Sequence, residues 1–432
     1  MDLQVKQLKE RLLNSNLFKD SFWAVFGNGA GNALLLLAGI IIARFLGKDL
    51  YGEYGVVKTT MFYVASFATF GLGFTSTKFI ALSIQEHPFH VKNIIQDALW
   101  ITLSFSVSVA LVLFVFAPQI ADYLEEPKLV LSFRALSIVI VFKALSTTQI
   151  GILSGAKKFK EVARNNLCAG FSLLVLSVPL TYLGGLRGSL LALLLSQAFN
   201  VLVNCLSIRK IEAMYERQEN FSYKKKLLQF SLPVALQESS FAFSHWMAIM
   251  LLTKLSSMGE LGLYSASSQW STIVYMIPSL LGNVVLSHLS STVSDGNAHQ
   301  STMRKIIMVN LLCTFVPFVF VYFMAGFISS FYGTSFAGMP SVLRILTFAT
   351  IFDACSTVFR SELMAQGRPW TLFVIRLIRD LLLVILVYVL LTIGKGENGA
   401  IFYSWSVVSA SVISFFLSLG ACKMSPFNSP TN

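Results

Sequence analysis

The sequence predicts an all-α polytopic membrane protein of twelve transmembrane helices, arranged as two six-helix lobes. Its composition, its apolar runs and an internal repeat each indicate this fold class. Charged residues make up 12% of the 432-residue chain and apolar residues 55%, against about 25% and about 45–50% in soluble globular proteins. A chain this apolar and this poor in charge is typical of a bilayer protein.

Apolar runs of about 20 residues recur from one end of the chain to the other. About 20 residues in a helix cross a hydrocarbon core that is about 30 Å thick. Twelve such runs lie near 22–43, 54–76, 94–116, 132–153, 165–184, 187–208, 230–252, 262–285, 305–325, 342–364, 371–392 and 399–420.

The segment Phe133–Thr147 recurs 210 residues later as Leu343–Thr357, and six of the fifteen positions are identical. Adding 210 to the first six apolar runs also gives the last six to within about four residues. Solenoid repeats are about 20 to 50 residues long, so this period indicates a duplicated half-protein. Six spans are an even number, and both halves therefore enter the bilayer in the same orientation, as parallel repeats.

The distribution of lysine and arginine predicts the orientation. With the N-terminus inside, the inner loops and tails hold 21 of these residues and the outer ones 8. Cytoplasmic loops carry the basic excess in membrane proteins, so we expect both termini in the cytoplasm. This bias accounts for the formal charge of +12 without a nucleic-acid partner.

Four segments follow from the pattern. Residues 1–20 form an interfacial amphipathic segment, 21–210 the N-terminal lobe, 211–228 a basic cytoplasmic linker, and 229–422 the C-terminal lobe. Three consecutive lysines in the linker, Lys224 to Lys226, would each contribute about 1 kcal/mol at an anionic lipid surface. We therefore count membrane lipids among the partners.

Polar groups inside the first-half spans are candidates for a binding site. A charge at the bilayer centre costs at least about 2.5–3.5 kcal/mol on insertion scales. Lys143 lies near the middle of its span and predicts a site, although a structural pair with Asp353, its counterpart 210 residues on, is the alternative. Lys58 lies near a span end, where its ammonium can also snorkel to water. Asn28 and Asn32 share a helix face and either line a cavity or join helices through hydrogen bonds.

The second half holds the carboxylates. Glu238 and His245 share a face of the seventh span, so this pair or Asp353 is predicted to carry any ion coupling. Arg376 is a further cavity candidate, and its spacing from Asp380 predicts a local ion pair as the alternative.

Four short stretches carry a family resemblance. The turns LGKDLYGEYG and MGELGLYSASSQW, with SLPVAL and LSGAKKFK, resemble the polysaccharide transporter (oligosaccharide flippase) branch of the multidrug/oligosaccharidyl-lipid/polysaccharide (MOP) exporter superfamily. The resemblance implies two lobes around a central cavity that opens to either side alternately. It also implies a location in the cell inner membrane and a substrate, an undecaprenyl-diphosphate-linked oligosaccharide moved from the inner to the outer leaflet.

Three functions are compared on these grounds. A lipid-linked oligosaccharide flippase is favoured, because the first lobe offers basic and amide groups where a diphosphate needs positive charge. An ion-coupled multidrug exporter of the same superfamily is the alternative, and it would need a carboxylate there. An enzyme, such as a polymerase or ligase, would need a catalytic outer loop; such an enzyme is instead a possible downstream partner. No cofactor or metal site is indicated, and Trp246, Gln269 and Trp270 are candidates for sugar recognition.

Overall fold

The computed structural model describes residues 16–216, 222–292, 296–366 and 368–423, and within these ranges the regular structure is helical. Two short 3₁₀ turns, Pro88–His90 and Thr334–Phe336, accompany the α-helices. The predicted helical class is thus confirmed. The α-helices are α1 (Asn16–Ala68), α2 (Leu72–Glu86), α3 (Val91–Tyr123), α4 (Leu129–Gly155), α5 (Phe159–Glu212), α6 (Lys224–Leu255), α7 (Met258–Thr292), α8 (Gly296–Ser330), α9 (Met339–Ala365), α10 (Pro369–Ile393) and α11 (Gly399–Lys423).

Two helices are interrupted at a single glycine. Gly47 in α1 has φ 70° and Gly185 in α5 has φ 54°, a region that residues with a Cβ rarely adopt. These glycines fall between the first and second apolar runs and between the fifth and sixth. Helix α5 therefore carries two predicted spans joined by a one-residue break, and α1 carries the first span and the beginning of the second in the same way.

The predicted second span, 54–76, is wrong as one continuous helix. Helix α1 ends at Ala68, and Phe70 and Gly71 have φ 50° and 68° before α2 begins at Leu72. Gly71 also contacts α6, because a Cβ added to it would lie 3.0 Å from Cγ1 of Val234. The break allows this close approach, and hydropathy alone does not register it.

Among the described residues, seven helices are long and apolar enough to cross a membrane by length and composition. Helices α1 and α5 each count once in this number although each contains two apolar runs. The chain is thus a multi-pass membrane protein. The twelve-span count, the two-lobe division and the amphipathic segment stay predictions, and residues 1–15 of that segment lie outside the described ranges.

The duplication is visible in the structure of the central repeat. Helices α4 and α9 have 27 residues each, and both their ends are 210 positions apart. Each residue from 127 to 153 has the same burial class as the residue 210 positions later. The degree of burial is therefore repeated between the two helices more closely than the amino-acid sequence is.

Contacts divide the chain into two compact units. Unit 1 comprises Met1–Ala38, Thr60–Asp122 and Glu126–Ser239, and unit 2 comprises the remaining residues. In unit 1, buried residues of α2 to α6, with Tyr223 just before α6, form one apolar core: Leu72, Ile80, Val91, Ile94, Ile95, Ala98, Ile152, Leu153, Val162, Ile208, Ile211, Tyr223 and Leu227.

Unit 2 contains a close crossing between α1 and α7. A Cβ added to Gly52 would collide with the carbonyl of Met258, and one added to Gly262 would collide with the carbonyl of Lys48. Met258 and Gly262 are the repeat counterparts of Lys48 and Gly52. The crossing is therefore reciprocal, because each copy of the repeat offers the other the same glycine and the same carbonyl.

Candidate functional site

Lys143 lies on a polar face of α4 with Thr147 and Ser154, and all three are half-buried. Thr147 Oγ1 donates a hydrogen bond to the Lys143 carbonyl at 3.0 Å. A Cβ added to Gly73 of α2 would lie 3.3 Å from Thr147 Cγ2, and Thr77 of α2 donates to the Gly151 carbonyl at 2.9 Å. Beyond Lys143 this face therefore packs against α2.

The other first-half candidates are divided between the units. Asn32 is half-buried in unit 1 with Lys143, whereas the half-buried Lys58 belongs to unit 2. Asn28 lies in α1, and its side chain is outside the described part of the structure. The structure therefore does not bring Lys58 and Lys143 together within one unit.

The repeat counterpart of the Lys143 face lies on α9. Thr357 Oγ1 donates to the Asp353 carbonyl at 2.9 Å, as Thr147 does to Lys143. One turn further, Arg360 Nη2 donates to Thr357 Oγ1 at 2.8 Å and to the Tyr275 hydroxyl of α7 at 3.4 Å. The two hydroxyls are themselves 2.6 Å apart. A guanidinium is thus held by two hydroxyls at a position where the first half has an isoleucine.

The sequence did not predict Arg360 as a site residue, because its position near the end of an apolar run assigns it to the adjoining inner loop. A signal was present, since the residue lies inside the apolar run 342–364 and two helical turns after Asp353, on the same face. Arg360 is half-buried, and its guanidinium reaches from α9 to the Tyr275 hydroxyl of α7.

Two arginines of α10, Arg376 and Arg379, contact Phe241 of α6. Arg379 donates from Nε and Nη2 to one oxygen of Asp380, at 2.9 and 2.6 Å, and the two side chains are 13% and 2% exposed. The guanidinium carbons of Arg376 and Arg379 lie 5.8 and 5.5 Å from the centre of the Phe241 ring. The His245 ring lies 4.1 Å from the same ring.

The local pairing predicted between Arg376 and Asp380 is only part of the arrangement. Their spacing of four places both on one face of α10, where Arg376 interacts electrostatically with Asp380, while the carboxylate hydrogen-bonds to the adjacent Arg379. Arg376 also stacks on Phe241, a tertiary contact that sequence spacing does not reveal.

The coupling candidates on α6 fall in different units. Glu238 is half-buried in unit 1, and His245 belongs to unit 2, where its Nδ1 lies 3.1 Å from the Phe241 carbonyl. That nitrogen is therefore engaged with the helix backbone. Ion coupling by Glu238, His245 or Asp353 stays a prediction.

Gln269 and Trp270 are hydrogen-bonded to buried tyrosines. Gln269 Nε2 donates to the Tyr51 hydroxyl, and Trp270 Nε1 donates to the Tyr332 hydroxyl at 2.9 Å. The Tyr51 and Tyr332 rings lie 5.9 and 5.4 Å from the Phe336 ring. The side-chain N–H groups of Gln269 and Trp270 are thus hydrogen-bonded within a buried aromatic cluster. Part of the hydrogen-bonding capacity predicted to recognise sugar is therefore already used inside the protein.

Comparisons with known proteins agree with this architecture. A family model described as "Polysaccharide biosynthesis protein" matches residues 41–315. A protein of Shigella flexneri described as an O-antigen transporter is 21% identical over 365 residues, which cover 82% of this chain and 86% of that protein.

Solved structures share the fold. An inward-facing multidrug resistance MATE family transporter of the MOP superfamily superposes with a TM-score of 0.78 at 14% identity, covering 93% of this chain and 98% of that one. The lipid II flippase MurJ, in an inward closed conformation, gives a TM-score of 0.73 at 16% identity and covers 92% and 86%.

The chain thus shares the helical fold of a MATE family transporter and of the lipid II flippase MurJ. Because the family model covers more than half of the sequence, the chain belongs to the polysaccharide biosynthesis protein family. The predicted membership of a polysaccharide family is thereby confirmed.

Proposed function

We propose that the protein is a flippase that moves an undecaprenyl-diphosphate-linked oligosaccharide from the inner to the outer leaflet by alternating access. Its family, its O-antigen transporter relative and the shared fold with a lipid II flippase all support this proposal. The working parts would be the predicted lobes, 21–210 and 229–422. A polysaccharide polymerase or ligase would use the delivered lipid.

The observation that carries the proposal is a basic side chain in the middle of a helix that is apolar enough to span a membrane. Lys143 lies near the middle of the 27-residue helix α4, whose composition fits a membrane span. A lysine there is tolerable where it meets water or an anion. As a compact point charge it can bind a phosphate and offset part of the cost of bringing that anion through the bilayer.

Replacing Lys143 tests this role. Lys143→Ala is expected to leave a folded, membrane-inserted protein that no longer moves its lipid, because the charge that meets the diphosphate is lost. Lipid-linked oligosaccharide then accumulates on the inner leaflet, where it can be measured by extraction and by its protection from externally added glycosidase. Lys143→Arg is expected to retain partial activity because it keeps the charge.

If Lys143 has only a structural role, a different result is expected. If it only neutralises Asp353, the double variant Lys143→Ala with Asp353→Ala should recover both stability and transport, since neither charge is left unpaired. Such recovery would refute substrate binding by Lys143. Continued loss of transport in a well-folded double variant supports it.

A multidrug exporter is the second candidate, favoured by the fold shared with MATE transporters. The two candidates differ in the charge of the substrate. Purified protein stabilised against heat by undecaprenyl diphosphate but not by cationic dyes supports the flippase. The opposite pattern would replace the flippase with the exporter.

A further inference from the structure

We propose that the first half of the chain carries a binding groove for one anionic phospholipid, between α3 and the start of α6. The groove has a volume of about 390 Å³, within the range of about 300–1,000 Å³ that ligand sites occupy. We call it the α3–α6 groove, and it is lined by Trp100, Ile101, Ser104, Phe105 and Ser108 of α3 and by Lys224 of α6. The proposal does not rest on the flippase function, because a lipid held here belongs to the surrounding membrane and is not transported.

The charge of the α3–α6 groove fits an anionic headgroup. Lys224 is the basic residue of the lining, and the lining residues in the described part of the chain include no carboxylate. An ammonium is a point charge that binds phosphate. Lys225 and Lys226 follow it and are exposed as well. A headgroup with a net negative charge is therefore favoured over a zwitterionic one, whose own ammonium these lysines repel.

Asp97 fixes the position of Lys224 beside α3. It lies one turn before Trp100, and its Oδ2 accepts hydrogen bonds from the Tyr223 N–H at 2.7 Å and from the Ser222 hydroxyl at 3.0 Å. This carboxylate is thus engaged with the backbone at the start of α6. The two helices are joined at this point, so the groove keeps its shape and Lys224 stays at one end of it.

The apolar wall of the groove is supported from behind. The Phe105 ring lies 4.9 Å from the Phe70 ring and 5.6 Å from the Phe67 ring. Phe70 is the residue with φ 50° at the break between α1 and α2, so this break places an aromatic ring next to Phe105. An acyl chain that lies on Ile101 and Phe105 gains dispersion contacts, which are individually small but add up along its length.

Trp100 indicates the level of the groove in the membrane. It is 62% exposed, and tryptophan is enriched where a membrane meets water. The predicted orientation places the start of α6 on the cytoplasmic side, whose leaflet carries the anionic lipids. Ser104 and Ser108 continue the exposed face of α3 from Trp100 into the membrane. A phospholipid with its phosphate at Lys224 would thus have its glycerol esters near the Ser104 hydroxyl, which can donate to them.

The lining is not repeated in the second half. At the positions 210 residues later stand Asn310 for Trp100 and Phe318 for Ser108. Asn310 is 1% exposed, so its side chain is inside the protein where Trp100 is at the surface. The α3–α6 groove is therefore specific to the first half and does not follow from the repeated fold alone.

Tryptophan fluorescence in vesicles tests the proposal. Purified full-length protein is reconstituted in phosphatidylcholine vesicles that contain a minor fraction of brominated phosphatidylglycerol or the same fraction of brominated phosphatidylcholine. Bromine quenches a tryptophan at close range, and the difference between the parent and Trp100→Phe isolates the signal of Trp100. We expect half-maximal quenching at an about fivefold lower fraction of the anionic lipid. This ratio corresponds to about 1 kcal/mol, as expected for one lysine beside an anionic lipid.

Lys225→Gln is the matched control for Lys224→Gln. Both changes remove one positive charge from adjacent exposed positions of α6, but Lys224 lines the groove and Lys225 does not. Lys224→Gln should abolish the preference for the anionic lipid, and Lys225→Gln should leave it unchanged. An equal loss in both variants would overturn the proposal, because the attraction would then belong to the basic surface as a whole. A parent protein without the preference would overturn it too.

Ser104→Phe provides a second variant that changes no charge. It fills the α3–α6 groove and leaves Lys224 in place, so it should abolish the preference by excluding the lipid. The position is exposed on α3, and the change therefore tests the groove even if Lys224→Gln fails to fold. A preference that survives in Ser104→Phe would show that the anionic lipid lies elsewhere.

Undecaprenyl diphosphate is the other occupant that the experiment distinguishes. Unbrominated phosphatidylglycerol should restore the fluorescence of Trp100 by displacing the brominated lipid, and undecaprenyl diphosphate at the same fraction should restore less of it. Stronger restoration by undecaprenyl diphosphate would mean that the groove holds the transported lipid, and the phospholipid proposal would be wrong. The Lys143 transport test is unaffected by either result, so the two proposals can fail separately.

Discussion

Two glycines decide how closely α1 and α7 can cross. Gly52 and Gly262 each face a backbone carbonyl of the other helix, with no room for a Cβ. Contacts this close let two backbones pack directly, which membrane helices use because lipid gives them little hydrophobic driving force to associate. Any side chain at these positions must push the helices apart.

We expect Gly52→Val to lower the free energy of unfolding by about 1–3 kcal/mol or more, the range for overpacked sites. Thermal unfolding in detergent measures it. Gly326→Ala is the control, because nothing lies within 4 Å of a Cβ at that position of α8; there the change should stabilise the helix by about 0.5–1 kcal/mol. Equal effects at the two glycines would contradict the close crossing.

Residue identity alone indicated part of the candidate site. Lys143 and Arg376 could be predicted, because a basic residue inside an apolar run is conspicuous in a sequence. The hydroxyls that hold Arg360 and the ring under Arg376 could not be predicted, since Tyr275 and Phe241 belong to other helices. Which helices meet depends on tertiary packing, which hydropathy does not encode.

At the scale of elements, α6 begins in an electrostatically unfavourable way. Its first three residues, Lys224 to Lys226, place positive charge at the positive end of the helix dipole. Asp97 of α3 offsets this, because its Oδ2 accepts hydrogen bonds from the Tyr223 N–H at 2.7 Å and from the Ser222 hydroxyl at 3.0 Å. A neighbouring helix thus supplies the cap of α6.

Asp97→Ala is expected to loosen the start of α6. Loss of a cap costs about 0.5–2 kcal/mol, and one to two kcal/mol changes the ratio of open to closed forms about 5- to 30-fold. Limited proteolysis between α5 and α6 should accelerate accordingly. Asp122→Ala, an exposed aspartate of the same helix α3, should leave the cleavage rate unchanged, and an unchanged rate in Asp97→Ala would disprove the cap.

The apolar runs predict where most of the helices lie, but they do not predict where a helix is interrupted. The fourth, tenth and eleventh apolar runs lie within three residues of α4, α9 and α10, because a span must be apolar over its full length. The break at Phe70 and Gly71 was missed, since both residues are compatible with an apolar helix and only their backbone angles differ.

For the whole molecule, the distribution of basic residues predicts one orientation. With Arg360 placed in α9, 20 lysines and arginines remain on the predicted inner side against 8 on the outer, so a fluorescent protein fused after residue 423 should fluoresce, as it does only when it folds in the cytoplasm. Alkaline phosphatase at the same position should be inactive. Active phosphatase there would show that the C-terminus lies outside the cytoplasm. The inner and outer leaflets assigned to the two ends of the helices would then have to be exchanged.

The reciprocal crossing of α1 and α7 also bears on the ancestry of the protein. Mutual contacts of this kind, in which each partner offers the other the same patch, are those of a symmetric homodimer. A half-length ancestor would therefore have worked as a pair of identical chains. Two identical chains could not differ from each other at any position, whereas the fused chain carries Ile150 in one half and Arg360 at the corresponding position of the other.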